Sequence, residues 1–161
     1  MVASAVGLVL LAAVATFSYF GSRSFVAMAG YTEMNQQSQF ALDKMVKEIR
    51  QVRQLTSFNP TNNLTFLDAN GNVHKFTYYP NDRELRRESG GQTNTLLTDC
   101  DALQFWAYQH TMISNTFDCY DPAYVTNARV IQVTWNCSRK ILGKKTTTDN
   151  VQSTKIAIRN H

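Results

Sequence analysis

The chain has 161 residues, of which 43% are hydrophobic and 17% charged, and its net charge is +4 at pH 7. This length fits one modest domain plus an appendage. The mild positive charge is far weaker than that of a typical nucleic-acid-binding surface, so we do not expect nucleic acid as a partner.

The three cysteines, Cys100, Cys119 and Cys137, contain no C-x-x-C spacing, which argues against a zinc ribbon or a thioredoxin-type motif. An odd number of cysteines in an exported domain predicts one disulfide and one remaining thiol. Three buried thiols in a reducing compartment are the alternative.

The first twenty residues, MVASAVGLVLLAAVATFSYF, carry no charge. Burying their large apolar side chains is worth about 15–30 kcal/mol gross, and the run is long enough to cross a bilayer as a helix. A cleaved secretory signal is the alternative, because AMAG at Ala27–Gly30 offers a cleavage pattern. However, no basic segment precedes the run, and Arg23 separates it from that pattern. We therefore expect the segment to be retained.

A second helical pattern follows, with no proline before Pro60. It carries one apolar stripe at steps of three and four, formed by Leu42, Met45, Val46, Ile49 and Val52. Because Pro60 disfavours helix at Asn59, the helix is predicted to end near Ser57. The simplest interpretation is one helix of about 55 residues, roughly 80 Å long. Residues 1–24 form its apolar part and 25–57 its amphipathic continuation, with a break near Gly21–Ser22 as the alternative.

Residues 58–161 have the pattern of short strands separated by turns. LTFLD and VHKFTYY flank ANGN, a strong hairpin signal, and ALQFWAY and ARVIQVTW are the two clearest strands. We predict a five- or six-stranded antiparallel meander whose apolar face packs on the helical stripe, which gives an α+β fold. We predict outward or partly covered positions for three aromatic residues, Trp106, Tyr108 and Trp135. They are interpreted either as contacts between subunits or as part of a half-buried second face of the sheet.

If the two clearest strands pair as a hairpin, Ala102 lies near Asn136 and Cys100 falls almost opposite Cys137. This pair is the predicted disulfide, which would close about 38 residues and contribute about 3–4 kcal/mol. Cys119 would then be the remaining thiol. The pairings Cys100–Cys119 and Cys119–Cys137 remain as alternatives.

No catalytic motif is present, so we expect neither an enzyme nor a cofactor or metal site. The histidines His74, His110 and His161 are scattered along the chain. Asp99 and Asp101 are interpreted as a solvated turn in preference to a calcium site, and so are Asp118 and Asp121. Two basic clusters are interpreted as a solvated strand edge that resists edge pairing, in preference to a site for DNA, lipid headgroups or an acidic neighbouring subunit; they are Arg83, Arg86 and Arg87, and Lys144 with Lys145.

An apolar helix that continues into an amphipathic one and docks on an antiparallel sheet resembles the type IV pilins and type II secretion pseudopilins. MVASAVGLVLLAAV resembles the family's N-terminal run from its methionine onward, and NQQSQFALDKMVKEIRQ resembles its run into the globular domain. LTFLDANGNVHKFTYY, RELRRE and LLTDCDALQFWAY are together similar to the sheet of larger minor pilins and pseudopilins. The family's basic leader, its conserved glutamate and its helix-breaking proline have no counterpart, and position 5 is Ala5. We therefore expect a mature subunit that begins a few residues upstream of Met1, with an atypical member of the family as the alternative.

The resemblance implies a structural subunit that the bacterial inner membrane holds before assembly and that then packs into a helical filament at the cell surface. Its implied partners are copies of itself, the inner membrane and the pilus or secretion assembly machinery. Lateral packing would involve Val2, Val6, Gly7, Leu8, Leu10, Leu11, Val14, Phe17 and Phe20. Two alternatives are a minor pilin or pseudopilin at a filament tip, and a single-pass membrane-anchored periplasmic binding module.

Overall fold

The computed structural model describes residues 2–110, 120–122, 125–126, 128–141, 144–147 and 152–158. One long N-terminal helix is followed by antiparallel strands in two sheets, which confirms the predicted α+β fold. The elements are α1 (Val2–Ile49), β1 (Val52–Asn59), β2 (Asn63–Asp68), β3 (Val73–Tyr79), β4 (Glu84–Ser89), β5 (Gln92–Leu97), β6 (Cys100–His110), β7 (Tyr120–Pro122), β8 (Val130–Ile141), β9 (Lys144–Thr147) and β10 (Gln152–Ala157).

Helix α1 runs without interruption through Gly21, so the predicted continuity of the apolar and amphipathic parts is confirmed. The polar side chains of its apolar part bond within the helix. The Thr16 hydroxyl donates to the carbonyl of Ala12 at 2.9 Å, and the Ser22 hydroxyl donates to that of Ser18 at the same distance. These bonds satisfy hydroxyl groups that an apolar environment would otherwise leave without partners.

The helix ends at Ile49, so the prediction that it continues to about Ser57 is wrong. The last turn closes with a bond from the Gln51 N–H to the carbonyl of Glu48 at 3.0 Å, and the chain enters β1 at Val52. The β-branched and aromatic residues of this segment favour a strand, and pairing with β2 satisfies its backbone. Val52 is therefore buried as a strand residue and not as part of the helical stripe.

Strands β1 to β5 form a sheet in sequence order, as a simple meander. The predicted hairpin around ANGN is confirmed, because β2 and β3 pair antiparallel on either side of it. The connection between β4 and β5 consists of Gly90 and Gly91, whose φ angles are 58° and 78°. Two successive left-handed residues are typical of a type I′ hairpin turn, which favours glycine.

The remaining strands form a second sheet in the order β10-β8-β6-β7, with β9 paired to β8. The prediction of a single five- or six-stranded meander is therefore wrong. Strand β6 pairs with β8 and not with β5, because the chain turns sharply at Asp99, where φ is 56°. The predicted register within this sheet is confirmed, since Ala102 faces Asn136 and Cys100 faces Cys137.

The core lies between α1 and the inner faces of the two sheets, and the helix packs against β5, β8 and β10. Met45 and Ile49 are fully buried, and Leu42 and Val46 are partly buried against the same cluster. The helical stripe also extends further toward the N-terminus than we predicted, to Met34, Ser38 and Ala41. The largest fully buried side chains of the sheets are Phe66, Phe76, Phe105 and Trp135.

Trp135 does not occupy an outward or partly covered position, which corrects the prediction from the sequence. It is only 1% exposed, and its indole N–H lies 3.4 Å from the hydroxyl of Ser38 on α1. Because β8 alternates with Ile131 and Val133 on the buried side, Trp135 shares their face. Trp106 and Tyr108 point to the opposite side of the sheet, where Trp106 is 43% exposed.

Candidate functional site

The apolar part of α1 projects away from the core. The predicted packing residues with described large side chains are all exposed, from 55% at Val6 to 82% at Phe17; they are Val6, Leu8, Leu10, Leu11, Val14, Phe17 and Phe20. The side chain of Val2 lies outside the described part of the chain. A side chain added at Gly7 would meet nothing within 4 Å. This helix is long and apolar enough to cross a membrane, and none of its apolar window is buried.

Apolar exposure continues well beyond Phe20. Phe25, Met28 and Phe40 are 77%, 72% and 65% exposed, and Val26 is 51% exposed. Exposed aromatic and methionine side chains at this density are unusual for a helix that faces water on all sides. The uncovered surface of α1 is therefore longer than the twenty-residue run that the sequence singles out.

These residues lie on the side of α1 opposite the sheets. Phe25, Met28, Thr32, Gln36 and Phe40 follow one another at steps of three and four, and we call them the back face. Met34 and Ser38, which are buried on the sheets, lie two positions after Thr32 and Gln36. With 3.6 residues per turn, an offset of two corresponds to about 200°, so the two sets occupy opposite faces.

The back face carries no charge. A groove along the back face is lined by Phe25, Met28, Ala29, Thr32, Glu33 and Gln36. The single acidic residue of this lining, Glu33, reaches sideways, and the Arg139 guanidinium lies 2.8 Å from its carboxylate. That pairing leaves apolar and neutral polar side chains along the back face.

The first charged residue of the chain, Arg23, is bound to an aromatic side chain one turn earlier. Its guanidinium donates to the hydroxyl of Tyr19 at 3.2 Å and lies 5.4 Å from the centre of that ring. The Tyr19 ring in turn meets Phe20 edge to face at 5.9 Å. Aromatic rings beside a basic residue at the end of an apolar run are typical of a membrane–water interface.

The C-terminal end of α1 is attached to the first sheet by a largely buried charge network. Glu48 is 8% exposed, and its carboxylate lies 2.7 Å from the guanidinium of Arg87 on β4. The imidazole of His74 on β3 lies 3.5 Å from Glu48 and 3.3 Å from Asp68. Because removal of one partner from a buried pair leaves an uncompensated charge, this network holds helix and sheet in one arrangement.

Asp68 also organises the hairpin between β2 and β3. One of its carboxylate oxygens accepts hydrogen bonds from the backbone N–H groups of Asn70 and Asn72, each at 2.8 Å. The Asn72 side chain donates to the other oxygen at 3.1 Å. These bonds, with the side chain of Asn72 first, lower the pKa of the Asp68 carboxyl from 3.8 to about 2.

Three further contacts tie α1 to the second sheet and to its connection with the first sheet. The Thr98 hydroxyl, between β5 and β6, donates to the side-chain carbonyl of Gln37 at 3.1 Å. Ser38 contacts Trp135, and Glu33 contacts Arg139, both of which lie on β8. The helix is therefore fixed to both sheets along residues 33–48.

The basic cluster on β4 is not a solvated strand edge, which corrects the interpretation from the sequence. Strand β4 lies between β3 and β5, and each of its arginines has acidic partners. Arg83, in the turn before β4, donates to the carbonyl of Asp99 at 3.0 Å and lies 2.8 Å from the Asp101 carboxylate. Asp99 and Asp101 are therefore ion-paired and do not form a solvated turn.

Arg83 and Asp99 are both in the left-handed backbone region, with φ angles of 57° and 56°. This conformation is uncommon outside glycine, and it persists where the surroundings fix it. Here the Cys100 N–H donates to the carbonyl of Arg83, and the Ser138 N–H donates to that of Asp99, both at 2.9 Å. Arg139 also pairs with Asp99 at 2.7 Å, which raises the pKa of its guanidinium. The two turns thus lock the junction of the two sheets.

Cys100 and Cys137 face each other beside this junction, and both are buried as thiols. Their mutual hydrogen bond raises the pKa of the Cys100 thiol, and burial raises it further. The same contact lowers the pKa of the Cys137 thiol, with a smaller contribution from a hydrogen bond to Ser38. The placement suits the predicted disulfide, which stays a prediction. Cys119 lies outside the described residues, and so do the pairings that involve it.

Among the residues that the structure describes, the other candidate side chains do not gather into a site. Within the described residues, no group of three or more His, Cys, Asp and Glu side chains could hold a metal ion. The structure does not describe the side chains of six other candidates from the sequence, which are His110, Asp118, Asp121, Lys144, Lys145 and His161. Within the described part of the chain, the uncovered face of α1 is thus the most extensive candidate functional surface. This uncovered face extends as far as Phe40. In the sequence, the absence of charged residues from the back face could have indicated this extension.

Comparison with known proteins adds no family to this description. No protein-family model matches the chain, and no curated protein matches it.

Proposed function

We propose that this chain is a structural subunit of a type IV pilus-like extracellular filament that assembles through its apolar N-terminal helix. Before assembly, α1 holds the subunit in the bacterial inner membrane as a single pass. The assembled subunit lies in a filament at the cell surface, with copies of itself as its neighbours. The pilus or secretion machinery assembles it, and its role is structural and not catalytic.

The length of the uncovered apolar surface is the observation that carries this proposal. Exposed apolar side chains run from Val6 to Phe40 along one continuous helix. At 1.5 Å per residue, this span is about 51 Å. A bilayer has a hydrocarbon core of about 30 Å and a total thickness of about 45 Å including its headgroups. A membrane that covers Val6 therefore leaves Phe40 in water, and a protein neighbour is needed to cover both.

A second copy of α1 matches the chemistry of this surface. The segment from Val6 to Phe20 is uncharged, and so is the back face from Phe25 to Phe40. An apolar segment of one copy can therefore pack beside the back face of another without burial of an unpaired charge. Such a contact joins two different surfaces, so its repetition produces an open helical array and not a closed dimer.

The attachment of α1 to the sheets also supports a filament subunit. The helix is fixed along residues 33–48 by Glu48, Gln37, Ser38 and Glu33. Its projecting part therefore has a fixed direction relative to the globular domain. Fixed geometry between the packing surface and the rest of the subunit is what a regular array requires.

Two alternatives share the same helix. A minor pilin or a type II secretion pseudopilin would use it in a short filament or at a filament tip. A single-pass anchored binding module would use it as a membrane span alone, and for that role the exposure of Phe40 would have no purpose. The position of Phe40 outside the bilayer therefore separates the filament proposal from the anchored module.

The test is assembly of the full chain on removal of detergent. Electron microscopy and sedimentation should reveal filaments for the parent chain and for Val73→Glu, which changes another exposed apolar residue, on β3. Phe40→Glu should remain unassembled because it buries a charge in the proposed contact. A parent chain that stays monomeric in lipid nanodiscs and forms only amorphous material without detergent would favour the anchored module.

A further inference from the structure

The outer face of the second sheet presents a regular array of side chains, three on each of β6, β8 and β10. Strand register sets three rows across these strands, because Gln132 faces both Trp106 and Lys155, and equivalent triplets lie on either side. We call this array the platform, and its rows are Gln104–Thr134–Ser153, Trp106–Gln132–Lys155 and Tyr108–Val130–Ala157. All nine side chains are exposed or half-buried. Most residues that alternate with them along the strands are buried, namely Leu103, Phe105, Ala107, Ile131, Val133 and Ile156.

The platform is almost neutral and has many hydrogen-bonding groups. Amides and aliphatic hydroxyls occupy four of its nine positions, and two contacts already organise three of these side chains. The Gln132 amide donates to the Ser153 hydroxyl at 2.9 Å, and the Thr134 hydroxyl lies 3.1 Å from the same oxygen. Groups that are held in place before binding lose less conformational entropy when a ligand arrives.

Two aromatic side chains stand on the platform, in different surroundings. The Lys155 ammonium lies 5.5 Å from the centre of the Tyr108 ring, so the platform's single charge sits over that ring. The indole of Trp106, at the middle row, is 43% exposed. A flat apolar ring beside fixed amides and hydroxyls suits a ligand with one apolar face and a polar perimeter.

We propose that this platform binds a neutral carbohydrate, with a pyranose ring stacked on Trp106. The C–H groups on one face of a pyranose pack on an aromatic ring, and its hydroxyls exchange hydrogen bonds with Gln104, Gln132 and Thr134. With strands about 4.8 Å apart and a rise of about 3.4 Å per residue, the platform measures about 10 by 14 Å, room for about two linked sugar rings. This surface is separate from α1, so the inference is independent of the filament proposal.

The chemistry of the platform favours this ligand over two others. A nucleic acid needs several cations to compensate its phosphates, and the platform carries one lysine. A second copy of the chain would need a larger apolar patch than one indole and one phenol ring provide, because stable interfaces bury about 800 Å² per partner.

The experiment measures tryptophan emission of the full chain in nanodiscs during titration with oligosaccharides to millimolar concentrations. The probes are neutral hexamers of glucose, galactose, mannose and N-acetylglucosamine, with hexagalacturonate as an anionic comparison. The chain has two tryptophans, and the other, Trp135, is buried, so the response to a ligand comes from Trp106. We expect a saturable blue shift and reduced acrylamide quenching with at least one neutral hexamer.

Isothermal titration with variants locates the site. Trp106→Ala should weaken binding at least tenfold and Gln104→Ala severalfold, whereas Phe40→Ala on α1 should bind like the parent. Near-ultraviolet circular dichroism verifies that each variant is folded. The proposal is overturned if no neutral hexamer binds, if binding survives Trp106→Ala, or if hexagalacturonate binds more tightly than every neutral probe. An emission shift that depends on protein concentration without sugar would assign the platform to a contact between copies and would also overturn it.

Discussion

The filament proposal depends most sharply on Phe40, because this side chain is apolar, exposed and far from the part of α1 that is apolar enough to cross a membrane. It lies twenty residues beyond Phe20, a distance of about 30 Å along the helix axis. Phe40→Ala therefore leaves the interaction with the bilayer unchanged. It removes an apolar side chain only from the proposed contact between copies.

The expected magnitude follows from the exposed fraction of this side chain. Complete burial of a phenylalanine is worth about 1.5–3 kcal/mol. Phe40 is 65% exposed in the isolated subunit. Covering the remaining surface therefore contributes about 1–2 kcal/mol per subunit, and its loss should raise the critical concentration for assembly about five- to thirtyfold.

The assay dilutes detergent from the purified chain and measures the subunit concentration left in the supernatant after the filaments are pelleted. Val73→Ala is the matched control, since Val73 is 56% exposed on β3. It should leave the critical concentration unchanged, and both variants should insert into nanodiscs as the parent does. Equal critical concentrations for Phe40→Ala and the parent, with both chains folded, would refute the role of the back face.

Three further predictions concern the globular domain. Asp68→Asn should remove the part of the folding free energy that comes from the ionised Asp68 carboxylate. Because the pKa of this group in the folded chain, about 2, lies below the ordinary 3.8, the parent has this stabilisation above pH 3.8 and loses it as the pH falls toward 2. An unchanged acid-unfolding profile for this variant would contradict that reasoning. Glu48→Ala should destabilise the domain by about 3 kcal/mol in urea unfolding, because the guanidinium of Arg87 loses its buried partner. A double-mutant cycle with Arg87→Ala should show coupling between the two sites, and strictly additive effects would count against this ion pair. Under oxidising conditions, the paired replacement of Cys100 and Cys137 by serine should lower stability by about 3–4 kcal/mol more than under reducing conditions, and equal losses in both would argue against the disulfide.

The sequence was sufficient for the parts of the fold that local patterns determine. The charge-free run and the steps of Leu42, Met45 and Ile49 indicated one continuous helix, because periodicity and the absence of proline act within a few residues. ANGN indicated its hairpin for the same reason. The register of Cys100 with Cys137 followed from counting along two strands that do pair.

The sequence was not sufficient where tertiary contacts decide. Residues after Ile49 have acceptable helical periodicity, but pairing with β2 places them in a strand. The split into two sheets depends on the left-handed turns at Arg83 and Asp99, which their residue types did not indicate. The burial of Trp135 depends on Ser38, which lies opposite it across the core. The partial burial of Arg87 likewise depends on its ion pair with Glu48 on α1. The outward face of an isolated strand pattern cannot be assigned before its partners are known.

The attachment of α1 to both sheets has a mechanical consequence. A pull on the globular domain along the helix axis is shared among the contacts of Glu33, Gln37, Ser38 and Glu48. They reach β4, β8 and the connection between β5 and β6. Shear across several bonds in parallel resists force better than the opening of one bond after another. Helix α1 therefore tolerates tension without first detaching from either sheet.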